Sequence, residues 1–236
     1  MLNGKIMQGY VKQLRIGGKH LTEKLKEWIS YRHVIVQNDM WLVNECKEKA
    51  CFVSQNFTQD ERTISARNNS ISCDYTLPDC YDLYEGVVHE PNSNTKSKYI
   101  YAQSFKMGME RIATPEILFR PSDIGVKSMG IAEGVWNTIR SLPERYWGRI
   151  LQNIILVGGN TKFPGFKQRL INDLRPIVPQ LYSIQVTQPE NPDTYIWHCA
   201  KRVAEVEDEF GFVTRKEYLD RGLANCRQRF DRNMQV

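Results

Sequence analysis

The stretch that most restricts what this chain can fold into runs from Asn153 to Leu174. Ile154-Ile155-Leu156-Val157 is four apolar residues, three of them β-branched, which predicts a short strand buried on both faces. Gly158-Gly159 ends it, and Asn160 and Thr161 can fold their side chains back onto nearby backbone. Pro164 suits the first turn of a helix, because its φ is nearly helical and its missing N–H has no intrahelical role there. Phe166, Leu170, Ile171 and Leu174 then recur at helical spacing. Strand, glycine turn and helix together let a ligand approach bare backbone beside a helix N-terminus with its partial positive charge. Taken as pattern alone, such a turn fits any α/β domain.

A chain of 236 residues with 41% hydrophobic content can bury a core as one large domain or two small ones. The net charge of +5 is modest and mixed along the sequence. Even the most basic run, Arg140 to Arg149, is broken by Glu144, so a nucleic-acid face is not demanded. No apolar run approaches the ~18 residues that span a bilayer, and the first residues carry no hydrophobic signal core, which makes soluble and intracellular the expectation. Cys46, Cys51, Cys73, Cys80, Cys199 and Cys226 show no CxxC spacing, and His20, His33, His89 and His198 are scattered singly. Free thiols and no metal site are expected. His198 and Cys199 are adjacent on a predicted helix and therefore diverge by about 100°, which argues against a dyad.

In chain order, Leu2 to Ile16 alternates loosely and predicts a strand that Gly17-Gly18 ends. Leu21, Leu25, Trp28 and Ile29 predict an amphipathic helix from His20 to Tyr31, and a second helix spans Trp41 to Cys51; the two are expected to pack together. Phe52 to Arg67 reads as polar and irregular. Cys73–Leu77 and Tyr81–Tyr84 predict a hairpin about Pro78-Asp79-Cys80. Pro91 to Lys98 reads as a loop, and Pro115 as the opening of a helical turn. Ile131, Val135 and Ile139 mark a helix closed by Pro143. Tyr182, Ile184 and Val186 predict a strand; Tyr195, Ile196, Ala200 and Val203 begin another helix. Glu207-Asp208-Glu209 reads as a solvated acidic run. Thr214 and Glu217 form a capping box for a short helix to Leu219. The five tryptophans read as core or interface residues, of which an exposed one would suit a partner.

Val157-Gly158-Gly159-Asn160-Thr161-x-Phe163-Pro164-Gly165-Phe166 resembles the glycine signature of the actin family, in the form carried by actin-related proteins. Other segments are similar to the family in the same order: Val11-x-x-Leu14-x-Ile16-Gly17-Gly18-Lys19-x-Leu21-Thr22, Lys47-Glu48-x-x-Cys51-Phe52-Val53-Ser54, Tyr75-x-Leu77-Pro78-Asp79, and Pro115-Glu116-x-Leu118-Phe119-x-Pro121-Ser122-x-x-Gly125. The resemblance covers nearly the whole chain.

It implies an α/β, actin-like fold of the ribonuclease H-like ATPase type: the second half and the C-terminal return, without the first half. The divisions it implies are 1–18 as the end of an inner sheet, 19–104 as a small outer part of helices and a hairpin, 105–193 as an inner α/β part bearing the glycine turn, and 194–236 as the return. It assigns Gly158, Gly159, Asn160, Lys162, Phe163, Lys47 and Glu48 to a nucleotide cleft, with ATP or ADP as an optional structural ligand and no metal site of the chain's own. On residues alone, Lys47-Glu48 fits either a clamp on a nucleoside or a solvated charge pair contributing about a few tenths of a kcal/mol. Departures from the family stand at Arg15, where it has an acidic residue, at Asp193, where it has a basic one near the adenine, and at Cys199-Ala200, where it has two glycines. The family's two phosphate hairpins have no counterpart here, and phosphoryl transfer needs carboxylate-held metal and a donor cradle about the γ-phosphate. The resemblance therefore implies a non-catalytic structural subunit of a nuclear chromatin-remodelling complex that exchanges a histone variant, meeting nucleosomes through the complex, without self-polymerisation or membrane contact. The alternatives are an ATPase of actin or sugar-kinase fold and a cytoskeletal actin. Its sheet would leave an edge unpaired and a face uncovered, so the expectation is either a truncated gene model or a product that needs its missing half.

Overall fold

The structure, a computed structural model, describes residues 8–36, 39–66, 69–79, 81–91, 102–205 and 212–234. Three helices open the described chain, and the first two pack together. The helix α1 (Gly18–Arg32) buries Leu21, Leu25 and Ile29 at the spacing the sequence predicts. Helix α2 (Met40–Ala50) packs against it with Val43, Cys46 and Ala50. A short helix, α3 (Phe57–Ser65), follows where an irregular segment was expected. Its residues bury nothing, so no apolar stripe announces it; the side chain of Asn56 caps it by accepting the N–H of Gln59.

A three-stranded antiparallel sheet comes next, with β1 (Cys73–Thr76) between β2 (Val87–His89) and β3 (Ser104–Met107). Tyr75 stands opposite Val88 and Phe105. The hairpin partner of β1 is therefore Val87–His89 and not Tyr81–Tyr84. Asp79 decides this: one carboxylate oxygen accepts the N–H groups of Tyr81, Asp82 and Leu83 and winds that segment into a turn.

The helix α4 (Glu110–Phe119) is buried at every residue but Ala113 and carries Pro115 in its interior, not at its start. Proline cannot donate to the carbonyl four residues back. That carbonyl, on Arg111, instead accepts the N–H of Phe52 at 3.1 Å, which is how the helix runs through the proline with its backbone satisfied. Helix α5 (Ile131–Arg140) and the short α6 (Trp147–Leu151) lead into β4 (Ile154–Ile155), which pairs in parallel with β5 (Val186–Thr187). Both strands are shorter than their apolar patterns suggest, and Ile155 is 47% exposed, so β4 is not buried on both faces. A 3-10 turn over Gly159–Lys162 then intervenes, and Gly165, at φ +85°, caps α7 (Phe166–Leu174). Pro164 precedes that cap instead of opening the helix. Phe166, Leu170 and Leu174 are buried as predicted.

The chain ends in α8 (Tyr195–Glu205), which has no buried residue, and α9 (Arg215–Met234), kinked at Gly222. The capping box of Thr214 and Glu217 is present, but the helix it opens is longer than expected. Thr214→Ala should weaken the first turn by about 1 kcal/mol, read as about fivefold faster amide exchange over residues 215–221. Residues 8–16 hold a 3-10 turn followed by irregular backbone with a bend at Arg15, so the strand expected there is not formed over these residues. Residues 1–7 of that expected strand, the loop over 92–98 and the acidic run at 207–209 lie outside the described residues.

Candidate functional site

A cleft of about 690 Å³ opens where the glycine turn faces the first turn of α1 and the C-terminal half of α2. That volume falls within the range of small-molecule sites. Its lining includes Gly159, Asn160, Lys162 and Phe163 from the turn, Lys47 and Glu48 from α2, and Gly18 with Lys19 from the start of α1. Six of the seven residues assigned from sequence thus share one cavity. Gly158 is placed behind it: its N–H bonds to Pro192 O at 2.7 Å, and its carbonyl accepts both the N–H and the hydroxyl of Thr161. Its φ of +95° is what turns the chain out of β4. Thr161 folds back on the backbone as expected, whereas Asn160 turns its side chain toward Gly18. A Cβ on Gly18 would sit 3.1 Å from Asn160 Oδ1 and 3.7 Å from Lys47 Nζ, so glycine is what lets the turn and the helix start meet.

Lys47 is not half of a solvated pair. Only 4% exposed, it places its ammonium at 2.9 Å from Thr22 Oγ1, 2.7 Å from Asn44 Oδ1 and 3.3 Å from Gly18 O. Three protons meet three neutral oxygens, and among the described residues Lys47 forms no ion pair. Burial pushes its pKa below the usual lysine value, with the Glu48 charge opposing. Glu48 accepts instead from Asn44 Nδ2 at 2.7 Å. Asn44 therefore relays between the two charges, its Oδ1 toward the ammonium and its Nδ2 toward the carboxylate. Asn44 was missed from sequence, although its positions three before Lys47 and four before Glu48 put all three on one helix face. Gly18 and Lys19 were missed because Gly17-Gly18 was taken as the end of a strand; Gly17 is instead the N-cap of α1.

Four lysines, Lys19, Lys47, Lys49 and Lys162, line the cleft against two carboxylates, Glu48 and Asp193. Lys49 is engaged outside it by Glu45 at 2.8 Å and Glu85 at 2.7 Å. Lys162 meets Asp193 at 3.1 Å, and that contact holds the Asp193 carboxyl below its ordinary range. A cationic lining of ammonium, amide and glycine backbone suits a ligand that joins a polar ring to an anion. Among the described residues no group of three or more His, Cys, Asp or Glu is placed to hold a metal ion. The five described cysteines are free; Cys46, Cys51 and Cys73 are buried, and burial pushes the thiols of Cys51 and Cys73 up to about 12 and about 11. Cys199 and His198 form no dyad, and the His198 ring packs edge-on against Trp197. No described helix is long and apolar enough to cross a membrane.

The sequence profile of the Actin family matches residues 1–231. The chain is similar to an actin-like protein of Caenorhabditis elegans, 38% identical over 226 residues, which covers 94% of this chain and 53% of that protein. It is also similar to actin-related protein 6 of Drosophila melanogaster, 36% identical over 232 residues (97% of this chain, 58% of that protein). Actin-related protein 6 of Arabidopsis thaliana is 34% identical over 241 residues, covering 93% and 57% respectively. The chain thus spans little more than half the length of these relatives. Its mixture of helices and small sheets is an α/β, actin-like one. Matched along almost its whole length, this chain belongs to the actin family.

Proposed function

We propose that this chain is an actin-related structural subunit of a nuclear chromatin-remodelling complex that exchanges a histone variant, and that its cleft holds the nucleoside side of ATP or ADP as a structural ligand. The observation that carries the reading is its similarity to actin-related protein 6 of insect and plant along more than nine-tenths of its length. The cleft supports the same reading. Both its carboxylates are already engaged, Glu48 by Asn44 and Asp193 by Lys162, and its donors are those that grip a ligand, not those that activate water. A nucleotide bound this way stabilises the folded form by mass action without turnover. Asn160, Gly159 and Phe163 would border the nucleoside, and Lys47, its protons already taken by Thr22, Asn44 and Gly18, would contribute a fixed positive charge to the wall without a direct hydrogen bond.

Affinity purification of the protein from nuclei tests the assembly: co-purification of a remodelling ATPase with histones supports it, and recovery of cytoskeletal proteins alone overturns it. Steady-state phosphate release from ATP by the purified protein would overturn the non-catalytic reading. For the cleft, Lys47→Met should weaken ADP binding about fivefold, the effect of losing one nearby positive charge that makes no direct hydrogen bond, on the order of 1 kcal/mol, as read by titration calorimetry. Unchanged affinity in that variant would remove Lys47 from the site.

A further inference from the structure

Among the described residues that line the cleft, Phe163 and Pro164 carry the only apolar side chains. The other lining groups are glycine backbone, amide, ammonium and carboxylate, so a planar base belongs where these two stand. Lys162 precedes them in the turn, and its Nζ lies 3.1 Å from Asp193 Oδ2. Asp193 comes from the segment that leads into α8. That segment is fixed to the turn by Gly158 N–H on Pro192 O and Gln188 Nε2 on Thr161 O, both at 2.7 Å. The base corner is thus built by bonds that a ligand need not disturb. Asp193 Oδ1 accepts the N–H of Thr194 at 3.0 Å, and Oδ2 accepts from Lys162. A carboxylate offers about four lone-pair sites and an ammonium three protons. Among the described residues, each Asp193 oxygen therefore keeps a lone pair open, and Lys162 keeps protons to spare. The two side chains are 42% and 57% exposed and both line the cleft, so a ligand reaches them. The Lys162 hydrogen bond holds the Asp193 carboxyl below its ordinary range, which leaves it ionised and acceptor-only at neutral pH.

We propose that Asp193 and Lys162 together read the base, and that the cleft takes a guanine nucleotide more tightly than an adenine one. The inference rests on the nucleoside reading above and widens it from adenine to guanine. Along its pairing edge guanine presents an acceptor, O6, and beside it two donors, the ring N1–H and the 2-amino group. A cation next to a carboxylate matches that order: Lys162 donates to O6, and the two Asp193 oxygens accept the two donors. Adenine has one donor on the same edge, its 6-amino group, next to a bare ring nitrogen. It therefore makes one charge-assisted contact fewer. Cytosine and uracil also present a single donor there, so neither occupies both carboxylate oxygens. The ion pair stays closed throughout, with Lys162 holding Asp193 in place while both meet the base.

Titration calorimetry on the full chain with GDP, IDP and ADP tests this. GDP should bind about five- to tenfold more tightly than ADP, the low end for a bidentate base contact because both side chains are partly exposed. IDP, whose base is guanine without the 2-amino group, should fall between them. Asp193→Asn replaces one acceptor by a donor, so it should bring GDP to within about twofold of ADP and leave ADP itself little changed. An equal affinity for GDP and ADP, or a GDP advantage that survives Asp193→Asn, overturns the guanine assignment while the nucleotide reading stands. IDP binding as tightly as GDP overturns it as well, and that arm needs no variant. If the unaltered protein binds none of the three, both readings fall.

Discussion

Replacing Arg169 by methionine is expected to cost about 3–5 kcal/mol of stability, the loss that follows when one partner of a buried ion pair is removed. The guanidinium is 4% exposed and places its Nη atoms 2.9 and 2.7 Å from the two Glu116 oxygens. It also donates to Ser54 O at 2.6 Å and to Asp173 at 3.0 Å, and it lies 5.1 Å over the Phe119 ring. Removing it strands Glu116, which is 2% exposed and, among the described residues, keeps only the Arg120 ion pair at 3.6 Å. Burial already raises the Glu116 pKa, and the Arg169 contacts work against that rise. Without them the folded-state pKa climbs further above the unfolded one. A raised carboxyl pKa means stability that is present at low pH and lost as pH rises through the folded value. The deficit of Arg169→Met should therefore be greatest at neutral pH and should narrow as pH falls toward the ordinary glutamate range. Denaturant midpoints across pH 4–8 read this directly. A constant deficit would show that packing, not the stranded charge, carries the loss. Pairing the change with Glu116→Gln should recover much of the stability at neutral pH.

Gly165→Ala is expected to cost about 2–5 kcal/mol, the sum of a left-handed backbone penalty of about 1–2 and an overpacking cost of about 1–3. The residue caps α7 at φ +85°, and an added Cβ would stand 2.6 Å from Val53 O and 2.7 Å from Gln55 Nε2. The carbonyl is fixed because Val53 N–H is itself bonded to Pro164 O at 2.9 Å. Gly159 serves as the comparison: a Cβ there meets nothing within 4 Å. Gly159→Ala should leave the melting temperature within a few degrees of the unaltered protein. Equal losses in the two variants would refute the close approach at Gly165.

How much of this could be read beforehand divides by the kind of signal. Helices α1, α2, α5, α7 and α8 announce themselves through apolar residues at helical spacing. The helix α3 does not, because Phe57–Ser65 lies on the surface and owes its start to the Asn56 cap. Tyr81–Tyr84 looks like a strand by composition, yet a single Asp79 oxygen coils it into a turn, and composition cannot register that. Pro115 reads as a helix start until the chain is folded. Only then does the N–H of Phe52, far off in sequence, arrive to fill the vacant hydrogen bond. In the cleft, the glycine turn and the Lys47-Glu48 pair were legible. The burial of Lys47 was not, because it depends on Thr22 and Gly18 of another helix. Likewise, nothing in the local sequence says that Asp193 will reach Lys162 across thirty-one positions.

Residues 52 to 54 pass between the glycine turn and the buried helix α4 and are stitched to both. Phe52 fills the gap at Pro115, Val53 holds Pro164, and Ser54 takes Arg169. Each residue in the row grips a different neighbour, so the row works mechanically as a tie rod. A displacement of the turn is transmitted to α4 instead of being absorbed locally. Stiffness of this kind keeps the cleft wall in one shape whether or not anything lies against it.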